Sequence, residues 1–238
     1  MAIILNIETS TEVCSVSLAK NGELLFEKGD NKGMNHSALL TIFINEIFAE
    51  NNLSIKNIDA VAVSKGPGSY TGLRIGVSVA KGLCYALEKP LIAVNTLDAM
   101  ADYTAGNIND FTDLGTDNNV LLCPMIDARR MEVYTALYNK NGESVKPVDA
   151  EIIDEQSFSE YFEKHKILFF GNGAEKCKKY LSHHNALFTG PSKISARFMQ
   201  NIVEKKYNKK EFEDVAYFEP FYLKEFQATV PKNKVFQT

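Results

Sequence analysis

Residues 60–87, AVAVSKGPGSYTGLRIGVSVAKGLCYAL, decide how the rest of the chain is read. The opening AVAVS is a buried strand, and from Leu73 to Leu87 the apolar residues recur at helical spacing. Between them GPGSYTG turns the chain. Glycines at a helix N-terminus free backbone amides for an anion, so Gly66, Gly68 and Ser69 are candidate phosphate ligands. A tight turn with a helix cap explains the same residues, and both readings stay open. The spacing fits no Walker loop, no GxGxxG and no GxSxG elbow. Within the helix, Gly72, Gly76 and Ala80 lie at i, i+4, i+8, beside a second small-residue stripe of Ser78, Gly82 and Ala86. A glycine inside a helix costs roughly 0.5–1 kcal/mol, so three in one helix imply a closely packed neighbour, internal or in a second subunit.

Upstream, residues 3–8, 13–19 and 23–28 read as a three-strand meander, with Asn21-Gly22 as the second turn. The first turn follows Glu8, and Glu8, Thr9, Ser10 and Thr11 could wrap a phosphate or form an ordinary hydroxyl-rich hairpin. Leu39, Leu40, Phe43, Ile44, Ile47 and Phe48 predict an amphipathic helix over 37–50, and His36 flanks its start. Downstream come a strand at 91–94, a short helix near 96–103 and a structureless link over 104–119. A second β-rich unit follows, with strands at 120–126, 131–139, 145–153 and 166–170. Helices are expected near 155–164, from 174, and over 194–207. Two halves that each read meander-then-helices suggest a duplicated α/β fold. Asp127-Ala128-Arg129-Arg130 at a strand end holds a turn or contacts a ligand.

Composition bounds the function. With 45% hydrophobic and 24% charged residues over 238 positions, a disordered chain is excluded. A net charge of −4 argues against a nucleic-acid binder over its whole surface. That average conceals a net of −8 over residues 104–163 and +9 over 164–210. The basic set Lys176, Lys178, Lys179, Lys193, Arg197, Lys205, Lys206, Lys209 and Lys210 offers either an RNA phosphate contact or solvated faces balancing nearby acids. No apolar run is long enough for a signal peptide or a membrane span, and the four cysteines form no CxxC. The expectation is a cytoplasmic protein with reduced thiols, Cys14 and Cys84 serving as packing. No HExxH or HxxxH pair occurs among the four histidines, so no metal ligands and no catalytic residues are assigned.

IETSTEVCSVSLAKNGEL, NHSALL, VSKGPGSYTGLRIGVSVAKGLCYAL, PLIAVNTLDAMA and IDARRMEVYTALY, in that order, resemble the TsaB (YeaZ) family of bacterial tRNA threonylcarbamoyladenosine biosynthesis proteins. GNG at 171–173 and Phe221-Tyr222-Leu223-Lys224 are later anchors of the match. The resemblance implies an actin-like ATPase fold of the sugar-kinase and Hsp70 type, with two duplicated lobes, each a mixed sheet flanked by helices. It divides the chain into an N-terminal lobe (1–103), a smaller C-terminal lobe (104–214) and a tail (215–238) packing back on the first lobe. Glu8–Thr11 then correspond to a phosphate hairpin, but without its Asp-x-Gly character. Thr96 and Met100 fall where the catalytic paralogue TsaD has a metal pair, so this chain resembles a non-catalytic paralogue. The implied partners are a TsaD-type catalytic subunit, a TsaE-type ATPase, a second copy of the chain when TsaD is absent, and tRNA mainly through the complex. No intrinsic cofactor is implied, with ATP or ADP placed at the complex interface. His36, Leu40, Phe43, Ile47, Gly72, Gly76 and Ala80 are the expected partner interface. A self-sufficient small-molecule kinase on the same fold is the alternative, and the lack of HExxH and HxxxH speaks against a metallopeptidase.

Overall fold

A computed structural model of the chain describes residues 2–30 and 35–224. Strands β1 (Ile3–Glu8), β2 (Cys14–Lys20) and β3 (Glu23–Asp30) form an antiparallel meander. Helix α1 (His36–Ala49) leads to β4 (Ala60–Gly66), then α2 (Tyr70–Leu87), β5 (Leu91–Asn95) and α3 (Thr96–Gly106). Because β4 pairs parallel to β1 and β5 parallel to β4, the sheet order is β3-β2-β1-β4-β5.

The second half repeats this. Antiparallel β6 (Val120–Asp127), β7 (Glu132–Asn139) and β8 (Ser144–Ile152) precede α4 (Ser159–Phe162), β9 (Lys166–Phe170), α5 (Ala174–Cys177) and β10 (Ala186–Phe188). Parallel β9 and β10 complete the order β8-β7-β6-β9-β10, which is the first sheet again. A 3-10 turn (Ala196–Met199) and α6 (Gln200–Lys209) end the regular structure.

Strand alternation distributes the apolar residues between layers. Leu5, Ile7, Val61 and Val63 meet α1 and α2 through Leu40, Ile44, Ile47, Val77 and Ala80. Ile4, Ala62, Ile92 and Val94 face the other way and join Leu97 and Met100 of α3 and Val203 of α6. That same core takes in Leu122, Ile126 and Phe170 of the second sheet, so α3 and α6 are shared filling between the lobes. The far face of the second sheet is covered by a smaller cluster around Phe158, Phe162, Phe169 and Cys177.

Several expected boundaries move. Helix α2 starts at Tyr70 rather than Leu73, because the Ser69 hydroxyl caps it by accepting from the Gly72 amide at 3.3 Å. The 104–119 link is partly helical: α3 runs to Gly106, and 3-10 turns follow at Ile108–Asp110 and Asp113–Thr116. Its polar residues satisfy local backbone, with Thr104 Oγ1 and Asn107 Nδ2 each donating to a carbonyl four residues back at 2.8 Å. Conversely, the helices expected at 155–164 and from 174 shrink to one turn each, α4 being preceded by Phe158 at φ 64. Residues 211–224 run back over the first lobe, where Glu213 bridges Leu91 and Lys81 Nζ donates to the Ala216 and Phe218 carbonyls at 3.1 and 2.9 Å. Residues 225–238 of the expected tail lie outside the described residues.

The neighbour of the Gly72, Gly76 stripe is internal. A Cβ on Gly72 would collide with the Thr9 carbonyl oxygen, and one on Gly76 with the Thr9 hydroxyl. A Cβ on Gly82 would meet open space. Alanine should therefore act oppositely at the two positions. Gly76→Ala is expected to destabilise by about 2 kcal/mol or more through overpacking, and Gly82→Ala to stabilise by roughly 0.5–1 kcal/mol. Urea unfolding of both variants measures this, and equal signs would refute the packing.

Candidate functional site

In open α/β sheets, ligands lie beyond the carboxyl ends of parallel strands. Here β1, β4 and β5 end at Glu8, Gly66 and Asn95, β6 and β9 end at Asp127 and Phe170, and Asn172 after β9 reaches Glu12 after β1. The hairpin residues Glu8, Thr9, Ser10 and Thr11 are all buried there. The Ser69 amide donates to the Ser10 carbonyl at 2.6 Å, and a Cβ on Gly68 would collide with that same oxygen. Hairpin and GPGSYTG turn, expected as two phosphate cradles, are thus pressed backbone to backbone. Of Glu8, Thr9, Ser10, Thr11, Gly66, Gly68 and Ser69, the Ser69 amide is spent on the Ser10 carbonyl rather than left free for an anion. The glycines serve close approach instead.

Glu8 is the buried charge of the site. Its Oε1 accepts from the Ser10 amide at 2.5 Å, while Oε2 has no hydrogen-bond partner among the described residues. Burial pushes the carboxyl above its ordinary range, against the opposing pull of the Ser10 and Ser64 hydroxyls and the Ser10 and Thr9 amides. Thr96 and Met100 are also buried, and a Cβ on Gly171 would lie 2.7 Å from Met100 Cε. The methionine therefore packs on the loop leaving β9. Among the described residues, no three His, Cys, Asp or Glu side chains converge as metal ligands.

Polar contacts seal the crevice from three sides. Asn172 Nδ2 donates to Glu12 Oε2 at 2.7 Å, and its Oδ1 accepts from the Asp127 amide at 3.0 Å. Deeper in, the Tyr138 hydroxyl donates to Asp98 Oδ1 at 2.6 Å. Burial raises the Asp98 carboxyl, opposed by that hydrogen bond and by the charges of Lys65 and Lys206. The returning tail covers the third side. Phe221 donates its amide to the Lys65 carbonyl at 2.7 Å, and Gly66, at φ 110, has no space for a Cβ because Phe221 O would stand 2.7 Å away. Tyr222 packs on Tyr70 with centroids 4.8 Å apart, Arg74 donates to its hydroxyl at 3.0 Å, and Lys224 pairs with Glu132 of the second lobe. The sequence anchors GNG and FYLK thus turn out to be the closures of the crevice. Spacing showed that they matched the family, but not what they touch.

The expected partner interface needs a correction. His36, Leu40, Ile47, Gly72, Gly76 and Ala80 are buried within the chain, and Phe43 is only partly exposed. Apolar residues at helical spacing turned into the chain's own core, and His36 Nε2 lies 3.2 Å from the Val13 carbonyl. The outer side of the same helices instead shows Ile42, 47% exposed, Tyr85, 84% exposed, and the Ser78, Gly82, Ala86 stripe. Burial also pushes the Cys14 and Cys84 thiols up to about 11 and about 12, as packing residues require. Much of the basic segment is matched by acids: Lys176 by Asp127, Arg197 by Glu27, Lys205 by Asp102, and Lys206 and Lys209 by Glu211.

Two lobes of one topology, joined by shared helices, define the actin-like ATPase class of fold. A family described as TsaD: tRNA N6-adenosine threonylcarbamoyltransferase matches residues 31–217, and the chain belongs to that family. It is similar to the tRNA threonylcarbamoyladenosine biosynthesis protein TsaB of Bacillus subtilis (strain 168), 34% identical over 140 residues, covering 58% of this chain and 56% of that protein. The protein of the same name from Escherichia coli (strain K12) is 37% identical over 144 residues, covering 60% and 57%. The chain thus spans little more than half the length of the curated relatives it matches. A Pseudomonas aeruginosa crystal structure, of an uncharacterized protein with similarity to peptidase YEAZ, shares the fold with a TM-score of 0.76. It is 24% identical and covers 94% of this chain and all of that one. No helix among the described residues is long and apolar enough to cross a membrane.

The raised Glu8 carboxyl makes stability depend on pH. Because the folded state holds this proton more tightly than the ordinary value of 4.5, the contribution is full below that value and is lost as pH rises through the folded pKa. Glu8→Gln keeps an acceptor for Ser10 without the buried charge. It should melt a few degrees above the parent at pH 8, with the gap closing toward pH 4 in thermal unfolding. A gap independent of pH would show that Glu8 carries no such penalty.

Proposed function

We propose that the chain takes part in making threonylcarbamoyladenosine in tRNA, as a non-catalytic partner of a TsaD-type subunit. In this reading the partner transfers threonylcarbamoyl to N6 of the adenosine next to the anticodon, in tRNAs reading codons that begin with adenine. A TsaE-type ATPase completes the cytoplasmic machine, and tRNA is held mainly by the assembled complex. The observation that carries the reading is the closed crevice. A hairpin wedged against helix α2 and strapped by the tail covers the strand ends among the described residues, and the tRNA-modification names of its relatives supply the context.

Docking falls to the outer face of α1 and α2. The i, i+4, i+8 spacing puts Ser78, Gly82 and Ala86 in one line beside Tyr85, and Ile42 of α1 is exposed as well. Small residues let a partner helix approach closely, and a large tyrosine beside them supplies buried area. The same face would pair two copies of the chain when the catalytic subunit is missing. ATP or ADP, in this reading, belongs to the interface of the complex.

Gly82→Leu tests the face without disturbing the fold, since a side chain there meets open space. Co-elution with the cognate TsaD-type subunit should weaken at least tenfold, while Gly82→Ala co-elutes normally. Unchanged co-elution of the leucine variant removes this face from the proposal. Depletion of the chain should abolish the threonylcarbamoyladenosine peak in nucleoside mass spectrometry, and an unaltered peak overturns the role itself. Calorimetric binding of ATP by the isolated chain would favour the self-sufficient kinase instead.

A further inference from the structure

The rim of the closed crevice carries a cluster of cations away from the docking face. The tip between β6 and β7 contributes Arg129 and Arg130, both exposed. Helix α5 and the residues after it contribute Lys176, Lys178 and Lys179, which with Met131 and Glu175 line an open depression of about 470 Å³. Lys176 fastens the two parts together: its Nζ donates to the Arg130 and Glu132 carbonyls at 2.9 and 2.7 Å and pairs with Asp127 at 2.7 Å. Lys178 lies over the Phe188 ring and Lys179 over Tyr180, 5.9 and 4.7 Å from the centroids.

The balance of charge there is cationic. Of the acids at the rim, Asp127 is matched by Lys176 and Glu132 by Lys224, leaving Glu175 and Glu12, the latter held by Asn172. Arg129, Arg130, Lys178 and Lys179 have no ion pair among the described residues, in a chain whose net charge is −4. Arg129 and Arg130 stand consecutively at φ 71 and 50, a region that side chains other than Asn, Asp and Gly seldom adopt. The tip thus keeps two arginines where Asn-Gly would turn the chain more easily.

We propose that this rim binds the phosphodiester backbone of a folded RNA through Arg129, Arg130, Lys178 and Lys179. Guanidinium groups match phosphate with two parallel hydrogen bonds, and lysines add point charge. Lysines along an open depression, with two exposed arginines on the neighbouring tip, suit successive phosphates better than one enclosed ligand. Choosing RNA among polyanions rests on the proposed role in tRNA modification; the cluster itself does not. Backbone contacts carry no sequence information, so different tRNAs should bind alike.

The test is fluorescence anisotropy of the full chain with a labelled, unmodified tRNA transcript across a salt series. The Lys178→Glu, Lys179→Glu double variant should lose at least tenfold in affinity, and its log–log salt slope should flatten by about two. Lys178→Ala with Lys179→Ala should lose less. Lys205→Glu with Lys209→Glu changes net charge equally on α6 and should stay within about twofold of the parent, isolating the rim from the overall field. Equal losses in both reversals, no binding by the parent at low salt, or displacement of the RNA by millimolar ATP would overturn the inference. Binding is read without any modification step. Failure here beside a lost threonylcarbamoyladenosine peak on depletion sinks this inference alone, and intact binding beside an unaltered peak sinks the proposed function alone.

Discussion

The carbonyls of Thr9 and Ser10 lie against the start of helix α2 with only glycine hydrogens between them. Backbone meeting backbone leaves no tolerance: a single methyl group at Gly72 or Gly68 would push β1–β2 and α2 apart. From that contact follow the cap at Ser69, the seat of Gly66 under the tail, and the burial of a carboxylate at the end of β1. The cost of the glycines inside α2 is explained by this one approach, except at Gly82, which faces outward.

The contact also decides what kind of molecule this is. In a doubly lobed fold of this class, the strand ends are where a ligand would be expected. Here the space is taken by the chain's own turn, by Met100, by the Asn172–Glu12 bridge and by the tail. Residues of α3 and α6 fill one continuous apolar core that both sheets share. The proposed recognition surfaces lie outside it: the outer side of α1 and α2, and the cationic rim beside the closed crevice.

The charge pattern shows how sequence and structure answer different questions. The basic run over 164–210 is visible in one dimension, and most of it dissolves into ion pairs, with acids distant in sequence such as Glu27, Asp102 and Asp117 or with nearby Glu211. What survives pairing is a smaller group, joined by two arginines from a different strand pair.

The strands were legible from alternation and turn residues, and the parallel order from strand–helix–strand succession, because these signals are local and repeat every two or every few residues. The doubling of the lobe was legible too, since each half carries its own meander, although one-turn helices and the three-residue β10 were too short to show a period. The site was not. Gly76 reads as part of a small-residue stripe whose neighbour is either internal or in a second subunit, and only the fold shows Thr9 there. His36, Leu40 and Ile47 have the spacing of a face, but spacing does not say whether that face meets its own core or a partner. Asn172 with Glu12, Tyr138 with Asp98 and Tyr222 with Arg74 are separated in the chain by 160, 40 and 148 positions. Periodicity reports which side of an element is apolar; which element it meets is set by how all the layers pack at once, and that is decided only in three dimensions.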